Sequence, residues 1–276
     1  MGEIMVYITG DTHGAFDIHK INPREFEAAA HLTENDYVII CGDFGCIWDG
    51  GSSDRFWLNW IESLPWNTLF IDGNHENFDV LNAYPEEEWH GGRVNRIRSN
   101  IYHLRRGEIY DIDGHTYLAM GGGFSHDISL RTEGTNWWKE EMLTEQEAEN
   151  AYRNLEKHDW KVDYVLSHDT FKSHPAARTF TTDMSHYNDD QVDIQEVLQK
   201  IHDQAEYKIW FNGHYHKDMF YQEPEREQAG GKLIPKKEYY TLYDNILRLE
   251  DFKDSRDQFM PVDEKTPFTV HDFAAH

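Results

Sequence analysis

The stretch that decides the fold is Ile4-Met5-Val6-Tyr7-Ile8-Thr9, which runs directly into Gly10-Asp11-Thr12-His13. The apolar run predicts a buried strand, and the glycine marks its end. Ligands of open α/β sheets bind beyond the carboxyl ends of the strands. Asp11 and His13, which follow this strand, are therefore candidates for chemistry.

Two apolar runs downstream repeat the pattern. Residues 37–41 and 68–71 predict further buried strands, each followed by a glycine within two residues. Between the strands, Asn22-Pro23 predicts the start of a helix that runs to about residue 32. Apolar residues at helical spacing predict a second helix over 56–64. This βαβαβ opening implies parallel strands with helices packed on them.

The rest of the chain reads as short elements separated by two long polar stretches. Thr144 and Glu147 form a capping box that predicts a helix ending near His158. The stretches 121–143 and 169–190 have no clear periodicity and are predicted to be elaborated loops. The other predicted elements are strands at 101–104, 109–112, 116–120, 162–167 and 207–212 and a helix at 191–202.

These elements predict a single α/β domain over residues 1–250. No repeat, Pro-rich linker or low-complexity tract divides that range. After Asp251, many charged residues and two prolines predict a loosely held C-terminal tail over residues 251–276.

Composition and charge exclude several classes of function. The chain carries 51 acidic and 26 basic residues, a net charge of −25, which repels nucleic acid and anionic membranes at long range. Its 17 histidines beside many aspartates favour a metal site. With only Cys41 and Cys46, no membrane-length apolar run and no signal-peptide pattern, we expect a cytoplasmic protein.

Polar residues of one kind follow several predicted strands. In Asp11-x-His13 and in His214-x-His216, the i, i+2 spacing of an extended chain places both side chains on one side. A carboxylate can bridge two ions, and Asp43 is the obvious candidate for this role. Such mixed nitrogen and oxygen donors suit Mn, Fe, Zn, Co or Ni better than Ca or Mg. The remaining candidates at strand ends are Asn74, His75 and His168.

Such a site would attract phosphate into an otherwise acidic protein. Two metal ions about 3.5–4 Å apart can clamp a phosphoryl group and lower the pKa of a bridging water, whose hydroxide then attacks phosphorus. His75 directly follows Asn74 and is not needed as a ligand. It is a candidate to protonate the leaving group or to donate a hydrogen bond to the developing charge.

The ordered motifs resemble those of the calcineurin-like metallophosphoesterases over residues 10–216. The resemblance implies two packed mixed β-sheets flanked by helices, a four-layer α/β/β/α sandwich, and it places His75 at the position of the family's catalytic histidine. Looser matches at 89–92, 104–107 and 121–122 resemble bacterial and phage-encoded members. The ligands that the resemblance implies are Asp11, His13, Asp43 and His216 for the first metal ion and Asp43, Asn74, His168 and His214 for the second.

The substrate stays open, as does the choice between a phosphate monoester and a diester. Asp43 is followed by Phe44-Gly45-Cys46, not by the Asp-Arg-Gly triplet typical of phosphoprotein phosphatases. The expected partner is a small phosphorylated substrate or a phosphoprotein, with no membrane partner. A nuclease is disfavoured by the net charge. The alternatives are an activity like that of protein serine/threonine phosphatases and a non-catalytic metal-binding interaction module of the same fold.

Asp127 and Arg131 lie in the first polar stretch and have two interpretations. They form a salt bridge within the loop, or Arg131 reaches the phosphate of the substrate, since arginine suits bidentate phosphate contacts. The histidines expected on the surface or on helix faces are His19, His31, His103, His115, His158 and His202.

Overall fold

The fold is built on two β-sheets of seven strands each, seen in a computed structural model. The structure describes residues 3–179, 182–228, 232–234, 236–251 and 256–262. The strands of this part of the chain are β1 (Val6–Thr9), β2 (Tyr37–Cys41), β3 (Asn67–Ile71), β4 (Glu86–Trp89), β5 (Gly92–Arg98), β6 (Ile101–Leu104), β7 (Ile109–Ile112), β8 (His115–Met120), β9 (Leu143–Thr144), β10 (Tyr164–Ser167), β11 (Gln191–Val192), β12 (Ile209–Asn212), β13 (Met219–Glu223), β14 (Arg226–Gln228), β15 (Lys232–Ile234), β16 (Lys237–Thr241), β17 (Leu247–Arg248) and β18 (Met260–Pro261). Its α-helices are α1 (Ser52–Glu62), α2 (Phe78–Leu81), α3 (Glu145–Lys157) and α4 (Ile194–Gln204). Short 3-10 helices cover Ile18–Ile21, Glu27–His31, Ile128–Leu130, Lys139–Glu141, Pro175–Thr179, Met184–His186 and Arg256–Gln258.

Both sheets have a parallel centre and antiparallel margins. The first has the order β17-β1-β2-β3-β6-β5-β4, with β1, β2, β3 and β6 parallel. The second has the order β18-β13-β16-β12-β10-β8-β7, with β8, β10, β12 and β16 parallel. Parallel strands end at the same edge of a sheet. The polar residues after β1, β2 and β3 therefore share one edge, and those after β10 and β12 share another.

Three apolar layers lie against the two sheets. Ile39 of β2 and Leu166 of β10 belong to the layer between the sheets. Their chain neighbours Val38 and Val165 point the opposite way, because successive side chains of a strand alternate between faces. Val38 lies in a layer with residues of α1 and the first 3-10 helices, and Val165 lies in one with residues of α3 and α4. The order of helices, sheet, sheet and helices confirms the four-layer sandwich.

The capping box predicted at the start of α3 is confirmed. Thr144 Oγ1 accepts from the Glu147 amide at 3.2 Å, and Glu147 Oε2 accepts from the Thr144 amide at 2.8 Å.

The prediction of a single helix over residues 22–32 is wrong. Phe26 has φ −92° and ψ 90°, outside the helical region, and only the 3-10 helix Glu27–His31 follows it. The Phe26 ring packs edge-on against Tyr7 at 4.9 Å between centroids, so tertiary packing replaces the helical turn.

The predicted tail over 251–276 lies mostly outside the described residues. Within residues 256–262, Phe259 and Val262 are buried, and β18 pairs with β13 at the margin of the second sheet. The loosely held tail as a whole stays a prediction.

No helix among the described residues combines the length and apolar character that crossing a bilayer requires.

Candidate metal centre

The polar strand ends of both sheets meet at one place. Asp11 and His13 follow β1, Asp43 follows β2, and His216 follows β12 of the other sheet. One donor atom from each of these four residues lies within 4.8 Å of all the others. These are the residues predicted to hold the first metal ion, and the structure brings them together.

Contacts within this first group are short. His13 Nε2 lies 3.4 Å from Asp43 Oδ2, and His216 Nε2 lies 3.2 Å from Asp11 Oδ2. The other ring nitrogen of His13, Nδ1, lies 2.8 Å from Asp17 Oδ2. A carboxylate behind a histidine fixes the ring orientation and raises its basicity toward a metal. The first group thus has donor atoms that face one another and, in Asp17, a carboxylate that holds the His13 ring from behind.

The residues predicted for the second metal ion lie on the other side of Asp43. His168 Nε2 is 3.0 Å from Asn74 Oδ1, 3.2 Å from His214 Nδ1 and 3.4 Å from Asp43 Oδ1. Asp43 therefore presents Oδ2 to the first group and Oδ1 to the second. We call the seven residues the ligand cluster: Asp11, His13, Asp43, Asn74, His168, His214 and His216.

Two glycines allow the strands to approach this closely. A Cβ atom at Gly73 would lie 2.0 Å from Asp43 Oδ1, and one at Gly213 would lie 2.1 Å from Asp11 Oδ1. Backbone strain is concentrated at the same place. Non-glycine residues with positive φ in the ligand cluster are His13 (40°), Asp43 (45°), His214 (70°) and His216 (46°). Strained residues of this kind gather at functional sites, where the surrounding structure holds them.

Electrostatics favour a cation at the centre. Burial acts to raise the pKa of the Asp11 and Asp43 carboxyls, but nearby His168 outweighs it, so both pKa values lie below their usual range. Burial favours the neutral ring of His13, but hydrogen bonds to Asp17 and Asp43 outweigh it and raise the pKa to about 10. Two buried carboxylates thus remain ionised and attract positive charge.

The donor set fits transition-metal ions. A carbonyl oxygen only accepts, so His168 Nδ1, 3.0 Å from the Cys41 carbonyl oxygen, donates to it. Burial acts to lower the pKa of the His168 ring, but Asp43 and Asp11 outweigh it and raise that pKa. A proton on Nε2 would then lie between the ring and Asn74 Oδ1, at a place that a metal ion could take instead. Metal–ligand bonds of about 2.0–2.2 Å place neighbouring donor atoms about 3–3.5 Å apart, in agreement with these contacts.

A cavity of about 550 Å³ opens beside the ligand cluster, and His75 lines it. The His75 amide donates to Asp43 Oδ1 at 2.8 Å, which anchors the residue to the cluster through its backbone. Burial lowers the pKa of the His75 ring to about 4, with Asp43 opposing this and Arg131 adding to it. The neutral ring therefore faces the cavity, where a substrate would lie.

Arg131 and Asp127 form the salt bridge of the first interpretation, whereas contact of Arg131 with a substrate phosphate stays a prediction. Arg131 Nε donates to Asp127 Oδ1 at 2.6 Å, so the salt bridge within the loop is present. Arg131 also lines the cavity, with Nη1 3.1 Å from His75 Nδ1. The ion pair therefore holds the guanidinium beside the histidine.

Several residues around the centre escape sequence reasoning. Asp17 supports His13, Ser125 contacts Asn74, and Glu141 contacts Ser125, yet none of them belongs to a recognisable motif. Of the histidines expected on the surface or on helix faces, His103 is instead buried in β6, and His202 lies on α4 as expected but is buried there. The contact of Ser125 with Asn74 gave no signal because it joins segments 51 positions apart, and Asp17, four positions after His13, belongs to no motif.

Comparison with known proteins agrees with this geometry. A search of curated proteins found no match. A family model for the calcineurin-like phosphoesterases matches residues 4–218, a range that begins before β1 and ends just after His216. The chain belongs to the calcineurin-like phosphoesterase family.

Proposed function

We propose that the protein hydrolyses a phosphate monoester or diester with the help of two transition-metal ions. The observation that carries this proposal is the position of Asp43. Its two oxygens face different groups of donors, with His13 at 3.4 Å from Oδ2 and His168 at 3.4 Å from Oδ1. A carboxylate shared in this way is the bridge that a two-metal site needs.

Each ion would have its own set of ligands apart from the shared Asp43. Asp11, His13 and His216 would complete the first set, and the mixed donors suit Mn, Fe, Zn, Co or Ni. When bound, the ions would supply Lewis-acid activation of a phosphoryl oxygen and of the attacking water. The second set would be completed by Asn74, His168 and His214.

The side chains around the cavity would do the remaining work. Arg131, held by Asp127, would donate to a phosphoryl oxygen that the ions do not hold. Its guanidinium lies against both ring nitrogens of His75, with Nη1 3.1 Å from Nδ1 and Nη2 3.4 Å from Nε2. From this place the neutral ring of His75 would donate a hydrogen bond to the charge that develops on the leaving oxygen.

The cavity favours a small phosphorylated compound or an exposed phosphorylated side chain. Nucleic acid is disfavoured by more than the net charge of −25. Arginines of β5 and of the segment after β6 are paired with carboxylates, with Arg93 Nη2 2.8 Å from Glu108 Oε1 and Arg105 Nη1 2.8 Å from Glu86 Oε1. A phosphoprotein substrate, as for a serine/threonine phosphatase, remains the first alternative.

A non-catalytic metal-binding module is the second alternative. It would need the fold and the ions but not a hydrogen-bond donor to the leaving oxygen or an anion-binding side chain. His75 and Arg131 both line the cavity and lie within 3.1 Å of each other. Their presence beside the ligand cluster supports an enzyme.

The test is a hydrolysis assay after metal removal and reconstitution. The protein is loaded in turn with Mn, Fe, Zn, Co or Ni and offered an aryl phosphate monoester, an aryl phosphate diester and a phosphoserine peptide. We expect turnover of at least one substrate with at least one metal. The matched control is the Asp11→Asn/Asp43→Asn variant, which should show none. A wild-type protein that binds two ions but hydrolyses none of the three substrates would favour the non-catalytic module.

A further inference from the structure

The predicted loop 121–143 reaches the ligand cluster through a chain of three buried side chains. Asn74 Nδ2 lies 3.0 Å from Ser125 Oγ, and Ser125 Oγ lies 2.6 Å from Glu141 Oε2. Glu141 and Ser125 are 0% and 2% exposed, so water does not compete for these contacts. The chain therefore connects a metal ligand to a buried carboxylate that the reaction does not use.

The direction of each hydrogen bond follows from the chemistry of the groups. An ionised carboxylate only accepts, so the Ser125 hydroxyl donates its one proton to Glu141. The hydroxyl oxygen then has only lone pairs left for Asn74, and it accepts from the amide nitrogen. This fixes Nδ2 toward Ser125 and leaves Oδ1 toward His168, 3.0 Å away.

The orientation of this amide decides whether Asn74 can bind a metal ion. The two ends of an asparagine amide have almost the same shape, but only the oxygen has a lone pair to give. A flipped amide would place NH₂ beside His168 and remove one donor from the second group. Without Glu141, the Ser125 hydroxyl could donate to Oδ1 and support that flipped amide.

Other contacts hold the Glu141 carboxylate in place. Its Oε1 accepts from the Ser125 backbone amide at 3.1 Å and from the Tyr187 hydroxyl. Tyr187 belongs to the predicted loop 169–190, so both elaborated loops meet at this carboxylate.

We propose that Glu141 is a positioning residue of the metal centre, which acts through Ser125 to keep the Asn74 amide oxygen directed at the second metal ion. This inference rests on the proposed two-metal function. It assigns Glu141 no contact with substrate. The prediction is that Glu141 and Ser125 control metal affinity together, as one unit.

The test is calorimetric titration of the metal-free protein with Mn²⁺ alone. Burial raises the pKa of Glu141 to about 7, so the titration is run at pH 8.0, where the carboxylate is mostly ionised. We expect Ser125→Ala and Glu141→Gln each to weaken one of two Mn²⁺-binding steps by about 10- to 100-fold, the usual effect of losing an outer-shell partner. The other step should change much less.

The double variant separates a positioning role from a general structural one. If Glu141 acts through Ser125, adding Glu141→Gln to Ser125→Ala should not weaken Mn²⁺ binding further, within about twofold. Tyr187→Phe is the matched control, because it removes a hydrogen bond to the same carboxylate but leaves the chain to Asn74 intact. It should lower stability without changing either Mn²⁺ affinity. Ser125→Ala changes a single small side chain, so the test survives if Glu141→Gln fails to fold.

The outcomes distinguish this inference from the proposed function. Two Mn²⁺ ions in the wild type, with unchanged affinities in folded Ser125→Ala, would overturn the positioning role alone. The positioning role would also be overturned if the fold-losses in Mn²⁺ affinity of Ser125→Ala and Glu141→Gln multiplied in the double variant. A folded wild-type protein that binds one ion or none would overturn both proposals.

Discussion

Asp72 and Asn74 are separated by one residue, yet they belong to clusters of opposite character. Asp72, His103 and Arg106 form a closed cluster. The Asp72 carboxylate accepts from Arg106 Nη2 at 2.6 Å through Oδ2 and from His103 Nε2 at 2.9 Å through Oδ1. Arg106 also donates to the backbone carbonyls of residues 140–142. Every charge in this cluster has a partner from the chain.

The ligand cluster is built from the same kinds of residue, but histidine rings take the place of the arginine. Among the described residues, the Asp11 and Asp43 carboxylates form their ion pairs with histidine rings, at 3.2–3.7 Å. Both carboxylates are at most 1% exposed. Buried charges need compensation, from a partner or a metal. A fixed arginine thus closes the first cluster, whereas the facing carboxylates and histidines of the second are groups that could also hold a metal ion.

The largest expected effect comes from comparing two histidines, His75 beside the ligand cluster and His103 of the closed cluster. His75→Asn should lower kcat by about 10²–10³, the usual cost of losing one hydrogen bond to a developing charge, with metal content unchanged. His103→Asn should leave kcat per folded molecule unchanged and cost about 1–3 kcal/mol of unfolding free energy, because it disturbs a buried hydrogen bond to Asp72. Steady-state kinetics, elemental analysis and urea unfolding measure these quantities. Metal loss in His75→Asn would contradict a role in which His75 holds no metal.

The closed cluster should be sensitive to loss of its arginine. Arg106→Met leaves the Asp72 carboxylate buried without its main partner, which should cost about 3–5 kcal/mol of unfolding free energy. Urea unfolding of the metal-free protein measures this. The matched control is Arg96→Met, whose exposed partner Glu87 lies 3.5 Å away and whose loss should cost under about 1 kcal/mol. Similar costs for both variants would contradict a special role for the closed cluster.

The ligand cluster should differ in its response to metal. The histidines around Asp43 outweigh burial and hold the pKa of its carboxyl below the usual range, so Asp43→Asn should cost the metal-free protein some stability at neutral pH. Mn²⁺ at 100 times its Kd should stabilise the wild type by about 2.7 kcal/mol but hardly affect Asp43→Asn. His216→Ala removes a ligand of one ion only, so Mn²⁺ should still stabilise this variant by part of that free energy. Equal metal loss in both variants would argue against a bridging Asp43.

The smallest effect concerns a buried histidine outside both clusters. Burial lowers the pKa of His174 to about 3, against about 6.5 in the unfolded chain. Between these values the unfolded state binds more protons, so stability falls as pH falls. At pH 5.5 this contribution should be about 1.4 kcal/mol. His174→Phe should flatten the pH dependence by that amount, measured as the difference from the wild type between pH 7.5 and 5.5. An unchanged slope would show that burial alone does not keep this ring neutral.

Local patterns in the sequence were enough to predict much of the fold and the ligand cluster. The strand ends at Asp11, Asp43 and Asn74 were predictable because parallel strands that end in polar residues converge at one edge. The capping box at Thr144 was predictable because both of its partners lie within one helical turn.

What the sequence could not show depends on contacts between distant segments. Phe26 interrupts a helical pattern because its ring packs against Tyr7 of β1, which no local signal reveals. Glu141 lies 67 positions beyond Asn74, and only folding brings the two to either side of Ser125. The closed cluster was missed for the same reason, since His103 gives no sign of facing Asp72.

The central claim is that the ligand cluster binds two metal ions that share Asp43. The most direct measurement is anomalous X-ray diffraction from crystals of the wild-type protein loaded with Mn²⁺, collected on both sides of the manganese absorption edge. Two anomalous peaks are expected about 3.5–4 Å apart, one on each side of the Asp43 carboxylate. A single peak, or peaks that avoid Asp43 in a folded protein, would contradict it.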